Sequence, residues 1–323
     1  MLRALLLGLF SLVVLAGGAI LYAYYEIQRA GPNAEPVTVV IEKGTGTEAI
    51  GAAFEQAGAL RWRYWLIAAA LAPGDKRPLQ AGEYEIPPGA SALAIVRLLR
   101  DGKVVVHRLT VPEGLAVPEI MKLVADTAAL SGSLPPAPPE GSLLPETYNF
   151  TRGENRSALI DRMRQAMEAE LAAAWAARSA DLPFDTPEKA LVLASIIEKE
   201  TARDGERRHI AGVFVNRLNK GMRLQSDPTV IYGMTKGSGP LGRALTRGDL
   251  DQASDYNTYV IAGLPPGPIA SPGRDSLRAA VNPLRTNDLY FVADGTGGHA
   301  FAATLDDHNR NVKKWRDLQA KGN

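Results

Sequence analysis

The side chains best suited to chemistry lie at the end of an apolar helix pattern. The segment from Thr186 to Thr201 reads TPEKALVLASIIEKET, and its stretch from Ala190 to Ile197 is apolar apart from one serine. Thr186 can cap such a helix, and the proline after it suits the first turn. A helix that is apolar on every side is buried. We therefore expect Glu198 and Glu200 at the edge of a core, which is an unusual place for a carboxylate.

The two glutamates cannot act as one pair. Successive helix residues are about 100° apart, so Glu198 and Glu200 point in roughly opposite directions and only one of them can be the working acid. Burial and the negative end of a helix dipole both raise a carboxyl pKa, which is what a general acid needs near neutral pH. Periodicity alone does not choose between the two, and both could be ordinary solvated residues at a helix end.

Other polar residues in loops and turns are candidates for holding a sugar. Rigid proline-rich loops present binding groups, while tyrosine and amide side chains offer stacking and hydrogen bonds. For each of them the alternative is a structural role, as a capping, surface or satisfied core residue. The candidates are Glu146 in GSLLPETYNF, Asn216 in VFVNRL, Gln225 and Asp227 in MRLQSDPTVIY, and Tyr256 and Asn257 in YNTY.

Several classes of chemistry lack their motifs in this chain. There is no cysteine, and the four histidines have no metal-ligand spacing, so we expect no metal site. No GxSxG nucleophile elbow, P-loop or dinucleotide fingerprint occurs, and no cofactor is expected. The net charge of +1 favours no nucleic-acid partner. Carboxylic acid chemistry beside tyrosine and amide groups remains.

The N-terminus carries a segment long enough to cross a membrane. Residues 4–25 form an uncharged apolar run that ends in three tyrosines, which favour the bilayer interface. Arg3 precedes this run, so the positive-inside rule predicts a short cytoplasmic N-terminus of residues 1–3 and everything after Glu26 outside the cytoplasmic membrane. A cleaved signal peptide is the alternative, but the run is longer than an ordinary signal core. Residues 26–36 are predicted to be a linker.

Hydrophobic periodicity predicts an α+β fold in two parts. Residues 37–108 read as a small module of strands and helices, with strands from Val37, at Gly82–Ile86 and at Val104–Val111, and helices after Gly46, at Trp62–Ala72 and at Ser91–Arg100. Residues 109–323 read as a mainly helical domain. It is predicted to begin with a loop at Ser131–Gly141, which leads into the Gly141–Phe150 segment. Its predicted helices are Asn155–Arg178, Thr186–Thr201, Glu206–Lys220, one that starts at Ser226 or Asp227, one from Ser271 and Pro272 to Val281, and Asp306–Gln319. Leu289–Ala293 and His299–Ala302 are predicted to form a hairpin.

Several separate motifs, in the same order, resemble the endolytic murein transglycosylase family, also called YceG-like. They are ASIIEKET (Ala194 to Thr201), VFVNRL with GMRLQSDPTVIYG (Val213 to Gly233), YNTY with GLPPGPIASPG (Tyr256 to Gly273) and LYFVADGTGGHAF with HN (Leu289 to Asn309). The resemblance covers nearly the whole chain after the apolar N-terminal run. It implies that Glu198 is the single catalytic glutamate and Glu200 is secondary. It also implies a LysM-like module at 37–108, a catalytic domain at 109–323, and a carboxylate near the cleft at Glu146.

The resemblance implies a lyase that acts on the bacterial cell wall. A membrane-anchored lytic transglycosylase would cut the β-1,4 bond between N-acetylmuramic acid and N-acetylglucosamine inside glycan strands and leave a 1,6-anhydro end. Glu198 would act first as acid and then as base. Its partners would be peptidoglycan strands, the membrane and the wall synthases, and it would terminate the elongation of nascent strands. The alternatives are a non-catalytic, LysM-like wall-binding scaffold and a hydrolytic muramidase.

Overall fold

The computed structural model describes residues 2–322, which form two compact units. The first unit comprises the chain up to His107 together with Asn149–Glu154, and the second comprises Arg108–Tyr148 and the chain from Asn155 onward. The first boundary lies one residue before the division predicted at residue 108. The short return of 149–154 to the first unit has no counterpart in the predicted domains, because it depends on strand pairing between distant segments.

The first unit places two strands and three helices after the N-terminal helix. Its elements are α1 (Leu2–Gln28), β1 (Val37–Ile41), α2 (Thr47–Gln56), α3 (Tyr64–Leu71), β2 (Gly82–Ile86) and α4 (Ala92–Asp101). β1 and β2 are antiparallel, with Val37 opposite Ile86 and Ile41 opposite Gly82. Strand periodicity turns Val39 and Ile41 into the core, where both are about 5% exposed or less. Two of the three strands predicted for this module, and its three helices, are therefore present within the unit.

The apolar helix α1 continues into the core of the first unit. Its most apolar 18 residues have a mean hydropathy of 2.5. By length and composition α1 fits a membrane span, and a signal sequence would meet the same criteria. Its end packs inward, because Ile27 is only 4% exposed within the core. Gly31 N–H donates to Gly89 O (3.0 Å), and Gly89 N–H donates to Asn33 O (2.9 Å). The segment predicted to be a linker is thus packed against its own unit.

The second unit is mainly helical. Its elements are α5 (Val117–Asp126), α6 (Arg156–Ala176), α7 (Pro187–Glu200), α8 (Asp204–Asn219), α9 (Asp227–Thr235), α10 (Arg247–Asp251), α11 (Arg274–Val281), β5 (Tyr290–Ala293), β6 (His299–Ala302) and α12 (Leu305–Gly322). β5 and β6 form the predicted antiparallel hairpin. Two further strands, β3 (Val106–Thr110) and β4 (Thr147–Thr151), pair with each other, and each belongs partly to the first unit and partly to the second. The mixed α+β class is confirmed.

Helix α7 is the centre of this second core. Thr186 caps it, since its Oγ1 accepts the backbone N–H of Lys189 at 3.3 Å. The residues from Val192 to Ile197 are all buried, and α7 packs against α6, α8, α9 and α11. The one polar residue in that run, Ser195, is fully buried and accepts the N–H of Ile269 at 3.0 Å. The prediction of a buried helix that ends in Glu198 and Glu200 is confirmed.

Two segments differ from the predicted elements. Thr147–Thr151 forms β4 where the sequence analysis predicted no strand. Its partner β3 lies some forty residues earlier in the chain, and local patterning does not reveal such a pairing. Helix α11 begins at Arg274, three residues after the start predicted at Ser271. Gly273 occupies its N-cap position with an extended backbone (φ −75°, ψ 174°) and makes no side-chain cap. The backbone N–H of Gly273 binds a side chain of α7 instead.

Candidate active site

Glu198 lies where the end of α7 meets the start of α11. The N–H of Gly273 donates to Glu198 Oε2 at 2.8 Å, and the glutamate side chain is 5% exposed. A helix N-terminus carries partial positive charge and unpaired N–H groups, so it suits a carboxylate. A Cβ on Gly273 would lie 1.7 Å from Glu113 Oε1, so a side chain at this position would displace Glu113. The close approach of these three residues therefore depends on glycine.

An arginine from α8 lies beside the same carboxylate. Arg207 Nη2 is 3.7 Å from Glu198 Oε1 and 3.7 Å from Glu113 Oε2, and the arginine side chain is 7% exposed. Asp204, one turn earlier on α8, binds the other terminal nitrogen of the guanidinium. Burial raises the pKa of Glu113, and the negative charge of Glu198 raises it further. Three carboxylates and one guanidinium thus form a compact charged cluster.

Backbone hydrogen bonds fix the loop that carries Glu113. The N–H of Val111 donates to Glu146 O (3.0 Å), and the N–H of Gly114 donates to Ser271 O (3.0 Å). Lys199, next to Glu198, donates from Nζ to Gly114 O at 3.1 Å. Gly114 has φ +77°, a left-handed conformation that favours glycine. The loop is therefore a fixed wall of the site.

Sequence reasoning missed Glu113 and Arg207. Both are single charged residues without a chemical motif, and they lie 85 residues before and nine residues after Glu198. The signal that was present is the turn VPEG, in which a carboxylate is held between proline and glycine. It has the same character as the PET turn that made Glu146 a candidate.

Glu200 faces a different part of the unit, as the helix spacing requires. The hydroxyl of Ser226 donates to Glu200 Oε1 at 2.5 Å. Burial raises the pKa of Glu200, and the hydrogen bond from Ser226 opposes that shift in part. Glu200 therefore holds the turn before α9, whereas Glu198 faces α11 and the Glu113 loop.

Glu146 approaches the same end of α11 as Glu198. Its Oε2 is 3.6 Å from Arg274 Nε, and its side chain is 49% exposed. Arg274 directly follows the glycine that binds Glu198 and also forms an ion pair with Glu170. The structure thus brings the Glu146 carboxylate to the rim of the site, within reach of solvent.

The turn of Gln225 and Asp227 presents exposed polar groups on a constrained backbone. Gln225 has φ +52°, one of two non-glycine residues with positive φ in the described chain. Its N–H donates to Thr258 O at 3.1 Å, and Tyr259 donates its hydroxyl to Asp227 Oδ1 at 2.6 Å. Strained conformations of this kind persist at functional positions. The turn is tied to the YNTY segment, so the two motifs meet in space.

The tyrosine and amide candidates divide into two groups. Tyr256 is partly buried, with its ring centroid 4.9 Å from that of Tyr232 and 4.8 Å from Lys236 Nζ. Asn257 is 1% exposed, and its Nδ2 donates to Leu250 O (3.0 Å) and Gln252 O (2.7 Å), among others. These bonds hold the chain around α10. A sugar-binding role for Asn257 stays a prediction, and its observed contacts are structural.

Asn216 also uses its amide to hold the backbone. Its Nδ2 donates to Thr286 O (2.8 Å) and Asp288 O (3.0 Å), which fixes the segment before β5. Its neighbour Arg217 donates from Nε to Leu289 O at 2.6 Å. The VFVNRL motif therefore anchors the C-terminal hairpin, and a sugar contact by Asn216 likewise stays a prediction.

A cavity of about 680 Å³ opens beside Arg207, between α6, α8 and α11. Its floor is formed by alanines of α6 and α11, and its rim carries both signs of charge. The lining residues are Glu170, Ala173, Ala174, Ala177, Asp204, Arg207, Arg208, Asp275, Arg278, Ala279 and Asn282. This volume lies within the range of small-ligand sites. Within residues 2–322 no group of three histidine or acidic side chains could hold a metal ion.

Comparison with known proteins places these features in a family. The profile of the YceG-like family matches residues 39–314. A protein of Streptococcus pneumoniae named endolytic murein transglycosylase is 31% identical over 326 aligned positions, which cover 85% of this chain and 58% of that protein. A Bacillus subtilis protein of the same name is 32% identical over 269 positions, or 73% of each chain. The chain thus spans little more than half the length of the pneumococcal relative.

A solved structure of a YceG-like protein is also similar to this chain. The crystal structure of a putative YceG-like protein from Listeria monocytogenes has a TM-score of 0.52 and 30% sequence identity, and the match covers 86% of this chain and 99% of that one. Sequence profile, curated relatives and fold agree over most of the length. The chain belongs to the YceG-like family.

Proposed function

We propose that this protein is an endolytic lytic transglycosylase that cuts the β-1,4 bond between N-acetylmuramic acid and N-acetylglucosamine in peptidoglycan strands. The name of the relatives supports the substrate class. The observation that carries the proposal is the buried carboxylate of Glu198, fixed between the start of α11 and the guanidinium of Arg207. A single carboxyl held in a defined orientation is what this reaction needs from the protein.

In the proposed reaction Glu198 acts first as an acid. It donates a proton to the oxygen at C4 of N-acetylglucosamine as the bond from that oxygen to C1 of N-acetylmuramic acid breaks. The C6 hydroxyl of the muramic acid then forms a bond to C1, and its proton returns to Glu198. The product is a 1,6-anhydro ring, and no water is consumed. The substrate supplies its own nucleophile, so a second nucleophilic carboxylate is not required.

The neighbouring charged side chains would hold the Glu198 carboxyl in its orientation. Arg207 lies 3.7 Å from a carboxylate oxygen of both Glu198 and Glu113, so one guanidinium positions both groups. Burial and the negative charge of Glu198 raise the pKa of Glu113, so this carboxyl keeps its proton to a higher pH than an exposed glutamate does. We assign Glu113 and Arg207 as positioning residues and Glu198 as the catalytic residue.

The exposed candidates would bind the sugars. Gln225 and Asp227 are bonded to Thr258 and Tyr259, which follow Tyr256 in the same segment, and Glu146 adds a carboxylate near Arg274. Asn216 and Asn257 are retained as candidates whose observed contacts hold the walls of the unit. Glu200 would keep Ser226 and the turn after it in place.

The first unit would serve as a membrane-anchored, LysM-like glycan-binding module. Its order of strand, two helices and strand, with the strands antiparallel, supports this assignment. α1 would be an uncleaved single-pass anchor with the N-terminus in the cytoplasm and the rest of the chain on the cell-wall side. That position would place the enzyme beside newly made strands and the synthases that extend them, where cutting terminates elongation.

Digestion of purified glycan strands tests the proposal. The full chain in detergent is incubated with strands, and the products are analysed by mass spectrometry. We expect fragments with an anhydro end, which are lighter by one water than hydrolysed ends. Fragments with reducing ends instead would indicate a muramidase. The absence of any fragment, under conditions in which a known lytic enzyme cuts the same strands, would favour a wall-binding scaffold.

A further inference from the structure

Helix α3 of the first unit has no polar face. It reads YWLIAAAL; Leu66 and Ala69 are fully buried in the core, and Trp65, Ala68 and Ala70 pack partly buried beside them. The other side is open, with Tyr64 43% exposed and Leu71 72% exposed. A helix that is apolar all round is normally buried, and a helix on an aqueous surface carries polar residues on its outer face. The outer side of α3 therefore lacks a partner within its own unit.

An aromatic cluster joins this helix to α1. Trp62, just before α3, is 46% exposed, and its ring lies 4.8 Å from that of Tyr64 and 5.2 Å from that of Trp65. The ring of Trp65 lies 6.0 Å from that of Tyr22 on α1. All four rings belong to one unit. Tryptophan and tyrosine concentrate at the interface between bilayer and water, where one end of the ring is apolar and the other is wet.

The position of Tyr22 on α1 sets the level of the aromatic cluster relative to the bilayer. A hydrocarbon core of about 30 Å takes about 20 helical residues, so a span that starts near Ala4 ends near Tyr22 and Tyr25. These tyrosines are 61% and 62% exposed. Ile27, five residues after Tyr22, lies about 7.5 Å further along the helix axis. It is already part of the core of the unit. No flexible segment separates the end of the span from the folded module.

We propose that the outer face of α3, with Trp62 and Tyr64, lies in the headgroup region of the same bilayer that α1 crosses. The inference rests on the anchor proposed above and extends it from a tether to a second contact with lipid. Arg61 before α3 and Lys76 after it are exposed cations. Arg61 donates one N–H to Ala30 O and Lys76 donates to Leu71 O and Ala72 O, and their remaining N–H groups can reach lipid phosphates. The contact fixes the orientation of the first unit relative to the membrane plane.

The occupant is a lipid surface because the face continues an apolar membrane segment. The edge contact between Tyr22 and Trp65 makes the outer sides of α1 and α3 one surface. A protein groove would bury the same residues, but a binding protein would have to share the end of α1 with the bilayer. Burial of apolar side chains in the interface stabilises the contact in proportion to the area removed from water.

Tryptophan fluorescence in vesicles tests this contact. The chain has four tryptophans, so the double variant Trp175→Phe and Trp315→Phe leaves only Trp62 and Trp65 as emitters. The full chain is reconstituted in phosphatidylcholine and phosphatidylglycerol vesicles with bromine either near the headgroups or near the acyl chain ends. We expect quenching by the shallow bromine that is at least about twofold stronger than by the deep one.

A second chain separates failure of the anchor from failure of the contact. With all four tryptophans replaced by phenylalanine, Phe10→Trp places one emitter within α1, and deep bromine should quench it most. If deep bromine quenches this introduced emitter while Trp62 and Trp65 of the first variant are quenched by neither lipid, α1 spans and the proposed contact is wrong. If the emitter in α1 is not quenched either, the anchor itself is refuted.

A charge on the proposed face gives a matched comparison. Leu71→Glu should reduce the shallow quenching of Trp62 and Trp65 by at least about half, because a carboxylate disfavours the apolar interface. Val40→Glu, at a residue 40% exposed on β1, is the control and should leave the quenching unchanged. Equal losses in the two variants, or no loss in Leu71→Glu, would overturn the assignment of α3 as the contact.

Discussion

Replacement of Glu198 by glutamine separates chemistry from folding at the candidate site. Glu198→Gln keeps the volume of the side chain and an oxygen that can accept the N–H of Gly273. It removes the titratable proton and the negative charge beside Arg207. The variant should therefore fold and bind glycan while it fails to protonate the leaving oxygen.

The expected loss of turnover is larger than the expected loss of folding stability. Loss of one general acid-base group costs about 10²- to 10⁴-fold in rate, or about 3–5 kcal/mol of transition-state stabilisation. Loss of the ionic contact at 3.7 Å, with the hydrogen bond to Gly273 retained, costs about 1–3 kcal/mol of folding stability. That corresponds to a melting temperature lower by several degrees at this chain length. Turnover should therefore fall far more than stability.

The assay measures both quantities on the same preparations. Anhydro ends released from glycan strands are counted by mass spectrometry, and unfolding is followed by circular dichroism. Glu200→Gln is the matched control, since it removes a carboxylate from the same helix turn while leaving Glu198, Gly273 and Arg207 in place. It should retain most of the activity. Glycan binding by Glu198→Gln, measured by sedimentation with strands, should match that of the unaltered chain.

One result would refute this reasoning. If Glu198→Gln kept near-full production of anhydro ends while Glu200→Gln or Glu146→Gln abolished it, the wrong carboxylate would have been assigned. If Glu198→Gln lost activity only because it failed to fold, its circular dichroism and its binding to strands would be lost as well.

The same geometry makes further predictions. Glu198→Gln should lower the pKa of Glu113, because the like-charged neighbour that raises this pKa is removed; an NMR titration of the Glu113 carboxyl in the variant and in the unaltered chain checks this. Burial raises the pKa of Glu200, so the folded state keeps a proton that the unfolded state loses as pH rises above about 4.3. Stability should then fall as pH rises through the raised value, and Glu200→Gln should flatten that dependence in denaturant titrations. Asn257→Ala should lower the free energy of unfolding by about 2–4 kcal/mol, because several buried backbone groups lose their partner; urea unfolding measures it. A reporter that is active only in the cytoplasm, fused after Asn323, should stay silent, and its activity would reverse the proposed topology.

The sequence by itself determined the local elements and the centre of the second unit. Helix α7 was predictable because its N-cap, its apolar run and its two terminal glutamates are neighbours in the chain, so short-range rules describe them. The C-terminal hairpin was predictable for the same reason, from two short runs on either side of a glycine-rich turn. The divergence of Glu198 and Glu200 followed from helix geometry alone. The choice of Glu198 as the acid came from the family resemblance and is still a prediction.

Only the tertiary structure decided what surrounds that acid. Glu113, Arg207 and Gly273 meet Glu198 from three separate segments, and nothing in their local sequence specifies that meeting. Their approach depends on how α7, α8 and α11 pack, and on a glycine whose missing side chain leaves room for a carboxylate. The contacts of Asn257 were likewise decided by the tertiary structure, because in the sequence an asparagine beside two tyrosines fits a sugar site and a buried structural role equally well. Side-chain periodicity describes one element at a time, whereas a site is made by contacts between elements, and these depend on the three-dimensional packing of the whole unit.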